Sequence, residues 1–244
     1  MVIDAHLHLN AGALNPAVVQ AAADLGIDRL LVSSLGSWAY EPSHDDCLQA
    51  NRETEAAMRR HPGLVLGACY VSPRFPEALD EIARCFDAGM VAVKLWVAAR
   101  ATDPCVLPVV EKAASLGLPV FHHAWHKATG NLPHESTPSD LAELARRCPQ
   151  AALVMAHIGG DWERGLRAAR AAPNLRVDTS GTIIESGMIE AAVEQLGAER
   201  ILFGTDADGV EPAVALAKVT GAEIDGRAKR LILGDNAAAL LPHL

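Results

Sequence analysis

The chain has 244 residues, of which 50% are hydrophobic and 21% charged, and its formal net charge is −9 at pH 7. That leaves room for one domain with a substantial core, and the acidic balance excludes a nucleic-acid partner, whose phosphates need clustered Lys and Arg. No stretch reaches the ~18 apolar residues of a membrane span, and the start lacks a basic segment leading into an apolar one, so neither a membrane helix nor a secretory leader is expected.

Cys47, Cys69, Cys85, Cys105 and Cys148 are odd in number and form no C-x-x-C pair. The expectation is a reduced, cytoplasmic protein without a disulfide framework or a cysteine-based zinc site. No low-complexity tract or linker interrupts the chain, so residues 1–244 are read as one domain.

Short runs rich in Val, Ile and Leu recur along the chain and read as strands. In order they are "VIDAHLH" (2–8), "RLLVSS" (29–34), "LVLGACYV" (64–71), "VAVKLW" (91–96), "PVFHHAW" (119–125), "ALVMAHIG" (152–159), "LRVDTSG" (175–181) and "ILFGTDAD" (201–208). Helix punctuation falls between them. Asn15-Pro16 opens a helix that Gly26 closes, Asp103-Pro104 opens one ending near Gly117, and Thr137-Pro138 opens one that Cys148-Pro149 stops. Strands alternating with helices imply a parallel sheet. Eight such units in this length predict a single (β/α)8 TIM barrel. A doubly wound open sheet is the alternative, but no G-x-G-x-x-G follows the first strand.

In a barrel, chemistry collects where the strands end. His6 and His8 end the first strand, Lys94 lies near the end of the fourth, and His122 and His123 near the end of the fifth. His157 ends the sixth and Asp206 the eighth. Side chains alternate along a strand, so His6 and His8 share one face, with Ala5 and Leu7 on the other. Two neutral imidazoles on one face invite a divalent metal, although an H-x-H pair alone is weak evidence. His123, His157 and Asp206 at other strand ends strengthen the case, because five N and O donors then converge on one barrel mouth. Asp4 is read either as a support for one of these imidazoles or as a structural buried acid.

The segments "DAHLH", "VAVKL", "PVFHH", "AHIGG", "DTSG", "FGTD" and "ILGDNAAALL", in this order, resemble the amidohydrolase superfamily. The similarity is to its amidohydrolase-related branch of lactonases, amide and ester hydrolases, and decarboxylases of the aminocarboxymuconate-semialdehyde type. The resemblance implies one Zn²⁺, with Mn²⁺ as the other candidate, held by His6, His8, a strand-five histidine and Asp206. Counting from Pro119, the family pattern lands on His123 rather than His122. It assigns His157 to holding the catalytic water. Lys94 is either a carboxylated bridge between two metals or an ammonium that receives substrate, and the single-metal reading is the one adopted.

A bound Zn²⁺ lowers the pKa of water from about 15.7 to about 7, which supplies hydroxide at neutral pH. Asp206 and His157 are the expected catalytic residues, the first moving the water's proton and the second orienting the water. Trp38, Trp96 and Trp125 fall on the same side of the barrel and, with Lys94, are the expected substrate contacts; Trp162 either joins them or only packs. His126, Lys127 and His134 on the loop before the fifth helix are further polar candidates. The expected activity is hydrolysis of a small-molecule lactone, ester or amide, and the alternative is non-oxidative decarboxylation of an aromatic or unsaturated acid. The expected partner is that small molecule, with self-association into a homo-oligomer left open.

Overall fold

The structure is a computed structural model, which describes residues 1–242. The last two residues of the expected domain lie outside the described ones. Eight strands run parallel in the order β1 to β8: Ile3–His8, Arg29–Ser33, Val65–Tyr70, Ala92–Leu95, Val120–His122, Leu153–Met155, Leu175–Asp178 and Ile201–Leu202. Helices follow them as α1 (Pro16–Leu25), α2 (His44–Arg60), α3 (Ala78–Asp87), α4 (Val106–Ser115), α5 (Pro138–Arg147), α6 (Trp162–Arg170), α7 (Met188–Leu196) and α8 (Pro212–Thr220). Two short helices, α9 (Gly226–Arg230) and α10 (Asn236–Leu240), end the chain. The barrel closes by backbone bonds between β1 and the segment after β8: Ala5 N–H donates to Phe203 O at 2.9 Å, and Asp206 N–H to His6 O at 2.8 Å. The (β/α)8 barrel is the fold expected from the strand spacing.

The local signals act as anticipated. Asn15 caps α1 by accepting from the Ala17 amide, Pro16 is its first residue, and Gly26 ends it at φ 70°, a left-handed conformation that costs glycine least. Thr137 and Asp140 form a capping box on α5. The fourth helix starts later than Asp103-Pro104, because Asp103 instead closes a turn, accepting from the Arg100 amide at 2.9 Å.

Two apolar layers result. Leu30, Val32, Val93, Val120, Leu153 and Val177 face the helices. Ile3, Leu31, Ala68, Ala92, Phe121, Val154 and Leu202 fill the barrel interior together with Ala237 and Leu241 from the C-terminal segment. That segment crosses the floor of the barrel: a Cβ on Gly234 would lie 2.0 Å from Met1 O.

One expectation fails in β1. The pairing with β2 slips by one residue between Asp4 and Leu7. Ala5 therefore packs with the interior cluster instead of facing the helices, while His6 and His8 still share the inner side above it. A bulge of this kind re-aims side chains at a strand end.

Candidate active site

The upper interior of the barrel is polar. His6, His8, Lys94 and His157 are buried there, with Asp178 from the end of β7 beneath them. The strands lose their ladder early at this end, β5 and β6 after three residues and β8 after two, so the chain is free to turn its side chains inward. His157 and Asp206 both sit at positive φ, 60° and 63°. Such backbone is costly for residues other than glycine and persists where surrounding contacts impose it. The His157 amide donates to Asp178 Oδ1 at 2.9 Å, and the Asp206 amide is the one that bonds His6 O. Gly204, in "FGTD", leaves room for the site, since a Cβ there would lie 2.9 Å from His6 Cβ.

Tautomers can be read from the partners. His6 Nδ1 lies 2.8 Å from Asp178 Oδ2. Burial acts to raise the Asp178 carboxyl, but His6, His157 and Ser180 outweigh it and hold the group far below the usual range. An ionised carboxylate only accepts, so His6 Nδ1 carries the proton. His8 Nδ1 lies 3.1 Å from the Ser33 carbonyl, which also only accepts, and 2.9 Å from the Ser33 hydroxyl, which can accept as well. Both Nε2 atoms therefore present bare lone pairs, and they face each other 3.2 Å apart. Asp206 Oδ1 stands 3.9 Å from His6 Nε2 and 3.7 Å from His8 Nε2.

Three acceptors turned toward one point fit a divalent cation. In the structure Lys94 meets part of that demand, with Nζ donating to His6 Nε2 at 2.7 Å. Burial draws the Lys94 ammonium down to about 8, against the pull of Asp178 and Asp206. Burial first, and then the positive charge of Lys94, also keeps His8 well below the ordinary histidine value.

His123 points inward from the end of β5, but among the described residues it belongs to neither potential metal-binding trio. Those are His6, His8 and Asp206, and His6, His157 and Asp178. Its Nδ1 faces His157 Nε2 at 3.2 Å, and its Nε2 lies 3.0 Å from Glu135 Oε1. His122 turns the other way, into the packing against the helices, and its Nδ1 donates to the His123 carbonyl at 2.8 Å. Asp4 supports no imidazole. It ties β1 to the segment after β8, accepting from the Thr205 amide at 2.9 Å and the Thr205 hydroxyl at 2.6 Å.

A cleft of about 340 Å³ opens beside this cluster, lined by His8, Asn10, Trp38, Asp206 and Asp208. Trp38 stands edge-on to His8 and Trp96, with ring centres 5.2 and 5.5 Å away. Trp125 packs against His157 at 5.2 Å. Trp162 does not join them; its indole N–H donates to Glu185 at 2.7 Å. Lys94 is buried against His6 rather than lining this cleft. A larger cleft of about 550 Å³, between α5 and α6, holds none of the metal-ligand candidates.

Sequence reasoning missed Asp178, Ser180 and Glu135. Ser180 Oγ lies 3.0 Å from His6 Nδ1 and 2.9 Å from His157 Nδ1 and donates to Asp178. Asp178 ends β7 just as Asp206 follows β8, and that strand-end position is the signal that could have found it. Glu135 lies in a loop and carries no such signal.

A search among curated proteins finds no match. Solved structures share the fold. A 2,6-dihydroxybenzoate decarboxylase from Rhizobium superposes with a TM-score of 0.78 at 16% identity, covering 98% of this chain and 97% of that one. A dihydroxybenzoic acid decarboxylase from Polaromonas, with bound manganese, has a TM-score of 0.74 at 17% identity over 93% and 85%. A probable 2-pyrone-4,6-dicarboxylic acid hydrolase from Acinetobacter baumannii has a TM-score of 0.67 at 16% identity over 98% of each chain. The sequence profile of one family, described as amidohydrolase, matches residues 3–243. The chain belongs to the amidohydrolase family, and it is an enzyme of that superfamily's barrel type.

Proposed function

We propose that this enzyme is a metal-dependent hydrolase that opens a lactone, ester or amide bond in a small, largely apolar molecule. One observation carries the reading: two histidine Nε2 lone pairs face each other at 3.2 Å with the Asp206 carboxylate beside them. A divalent ion bound by His6, His8 and Asp206, Zn²⁺ or Mn²⁺, would supply Lewis acidity and bring the pKa of water toward about 7. Asp206 lines the cleft and is the group that takes up a proton from water and delivers it to the leaving group. His157, whose Nδ1 is 3.9 Å from Asp206 Oδ2, orients the water or the substrate carbonyl. Trp38 and Trp96 form an apolar wall that excludes bulk water on one side.

Decarboxylation of an aromatic acid is the second reading, favoured by the decarboxylases that share the fold. Against it, a carboxylate substrate needs a free cation. Lys94 is engaged with His6 and Lys127 with Glu135, and no arginine lines the cleft beside His8. The test is a panel of lactones, esters, amides and hydroxylated aromatic acids, offered to metal-loaded and chelator-treated protein. Acid released without CO₂, and only with metal, is the expected outcome. CO₂ from the aromatic acids, with no turnover of lactones, esters or amides, would replace the first reading by the second.

A further inference from the structure

The loop between β5 and α5 carries a buried acid for which the catalytic reading has no use. Glu135 is 1% exposed, yet its carboxylate is fully partnered. Lys127 Nζ donates to both oxygens, at 2.7 and 2.8 Å, and the Leu132 amide donates to Oε2 at 2.9 Å. The remaining partner is His123 Nε2 at 3.0 Å. Burial alone would raise the Glu135 carboxyl, but hydrogen bonds from His123, Lys127 and Leu132 overcome it and hold the group at about 2. With the Lys127 ammonium on both oxygens and a backbone amide on Oε2, the group is held as a carboxylate, and a carboxylate accepts only. Whatever binds it must bring a proton.

We infer that Glu135 is a positioning residue that fixes His123 as the Nε2–H tautomer, leaving its Nδ1 as the lone pair turned toward His157 and the barrel mouth. An unconstrained imidazole exchanges its proton between the two nitrogens, and a strong acceptor on one side decides the matter. Lys127 and the Leu132 amide hold the carboxylate in place, and His123 is the only side chain of the barrel mouth it touches among the described residues. His123 Nδ1 is then a lone pair open to a cation or a substrate proton placed between it and His157 Nε2, 3.2 Å away, because His157 Nδ1 gives its proton to Ser180 Oγ. The same contact ties the loop to the end of β5, so the loop's position and the histidine's proton are set together.

The bearing of this tautomer on turnover rests on the metal-enzyme reading; the tautomer itself needs neither metal nor substrate. It is read from long-range ¹H–¹⁵N spectra of metal-free protein labelled at histidine, with His123 assigned by its loss in His123→Asn. Native protein is expected to show the Nε2–H pattern at His123. Glu135→Ala is expected to lose it, giving a tautomer average or the Nδ1–H form. Glu135→Gln, whose amide oxygen can still accept, is expected to restore it, and Lys127→Met to leave it in place. An Nδ1–H pattern in native protein, or an unchanged Nε2–H pattern in folded Glu135→Ala, would overturn the inference. If Glu135→Ala does not fold, the native spectrum and the Glu135→Gln comparison still decide. Absence of metal binding would sink the proposed hydrolase and leave this spectrum unaffected.

Discussion

Asp178 Oδ2 stands 2.8 Å from His6 Nδ1, and this contact turns the other nitrogen of that imidazole into a bare donor for a metal. Asp178→Asn keeps the shape but removes the charge that imposes the tautomer. Metal affinity is expected to fall about 10- to 100-fold, the range for losing the hydrogen-bond partner of a ligating histidine. A chelator-competition titration measures it, with circular dichroism confirming that the barrel is retained.

Lys94 Nζ occupies the His6 lone pair that a metal ion would need. Lys94→Met should therefore tighten divalent-metal binding several-fold and leave one ion per chain by elemental analysis. If Lys94 instead becomes a carboxylated bridge, native protein will carry two ions and the variant will lose at least one.

Stability should fall in mild acid. Burial holds His122 down at about 4 and His8 and His157 well below the ordinary value. Unfolded chains take up these protons near pH 6.5 and the folded barrel does not, so the unfolded state binds more protons below that pH. Their contribution is full above about 6.5 and declines as pH drops toward 4, by about 1.4 kcal/mol per pH unit for each such group. It is offset in the same window by the single Asp4 carboxyl, which burial raises to about 7. His122→Phe, outside the metal site, should reduce that slope by one proton, which denaturant melts between pH 4 and 7 would show.

Gly165 on α6 lies under the turn that carries His157. A Cβ there would come within 1.8 Å of the Ile158 carbonyl oxygen, which is backbone and cannot swing aside. Gly165→Ala should cost about 1–3 kcal/mol, typical of overpacking. Activity should fall by more than the loss of folded protein explains, because the His157 turn moves with it. Melting curves and activity per folded molecule separate the two effects.

Trp38 is 44% exposed, and its ring meets His8 and Trp96 edge-on beside the cleft. Trp38→Ala should change stability by about 1 kcal/mol or less while weakening an apolar competitive inhibitor several-fold. Tryptophan emission that quenches on ligand binding in native protein should respond less in the variant.

Much of this enzyme is legible as a string because strands and helices announce themselves locally. The apolar runs, the Asn15-Pro16 and Thr137-Pro138 helix starts and the order of strand-end histidines and aspartates depend on residues close in the chain. Period-two alternation correctly separates His123 from His122, which point to opposite sides of β5. The same rule misplaces Ala5, because a one-residue slip against β2 is a property of two strands and cannot be read from one.

By itself, then, the sequence determined the barrel, its polar end and the side chains available there: His6, His8, Lys94, His123, His157 and Asp206. Tertiary structure decided which of them meet. Asp178 proved to be the acid under His6, Asp4 a tie to Thr205, and Glu135 the partner of His123, which stands apart from the His6–His8–Asp206 group. The reason is geometric. Hydrogen bonds act over about 3 Å, and contacts such as His6 to Asp178 join residues far apart in the chain, so their distance is fixed only when the barrel closes.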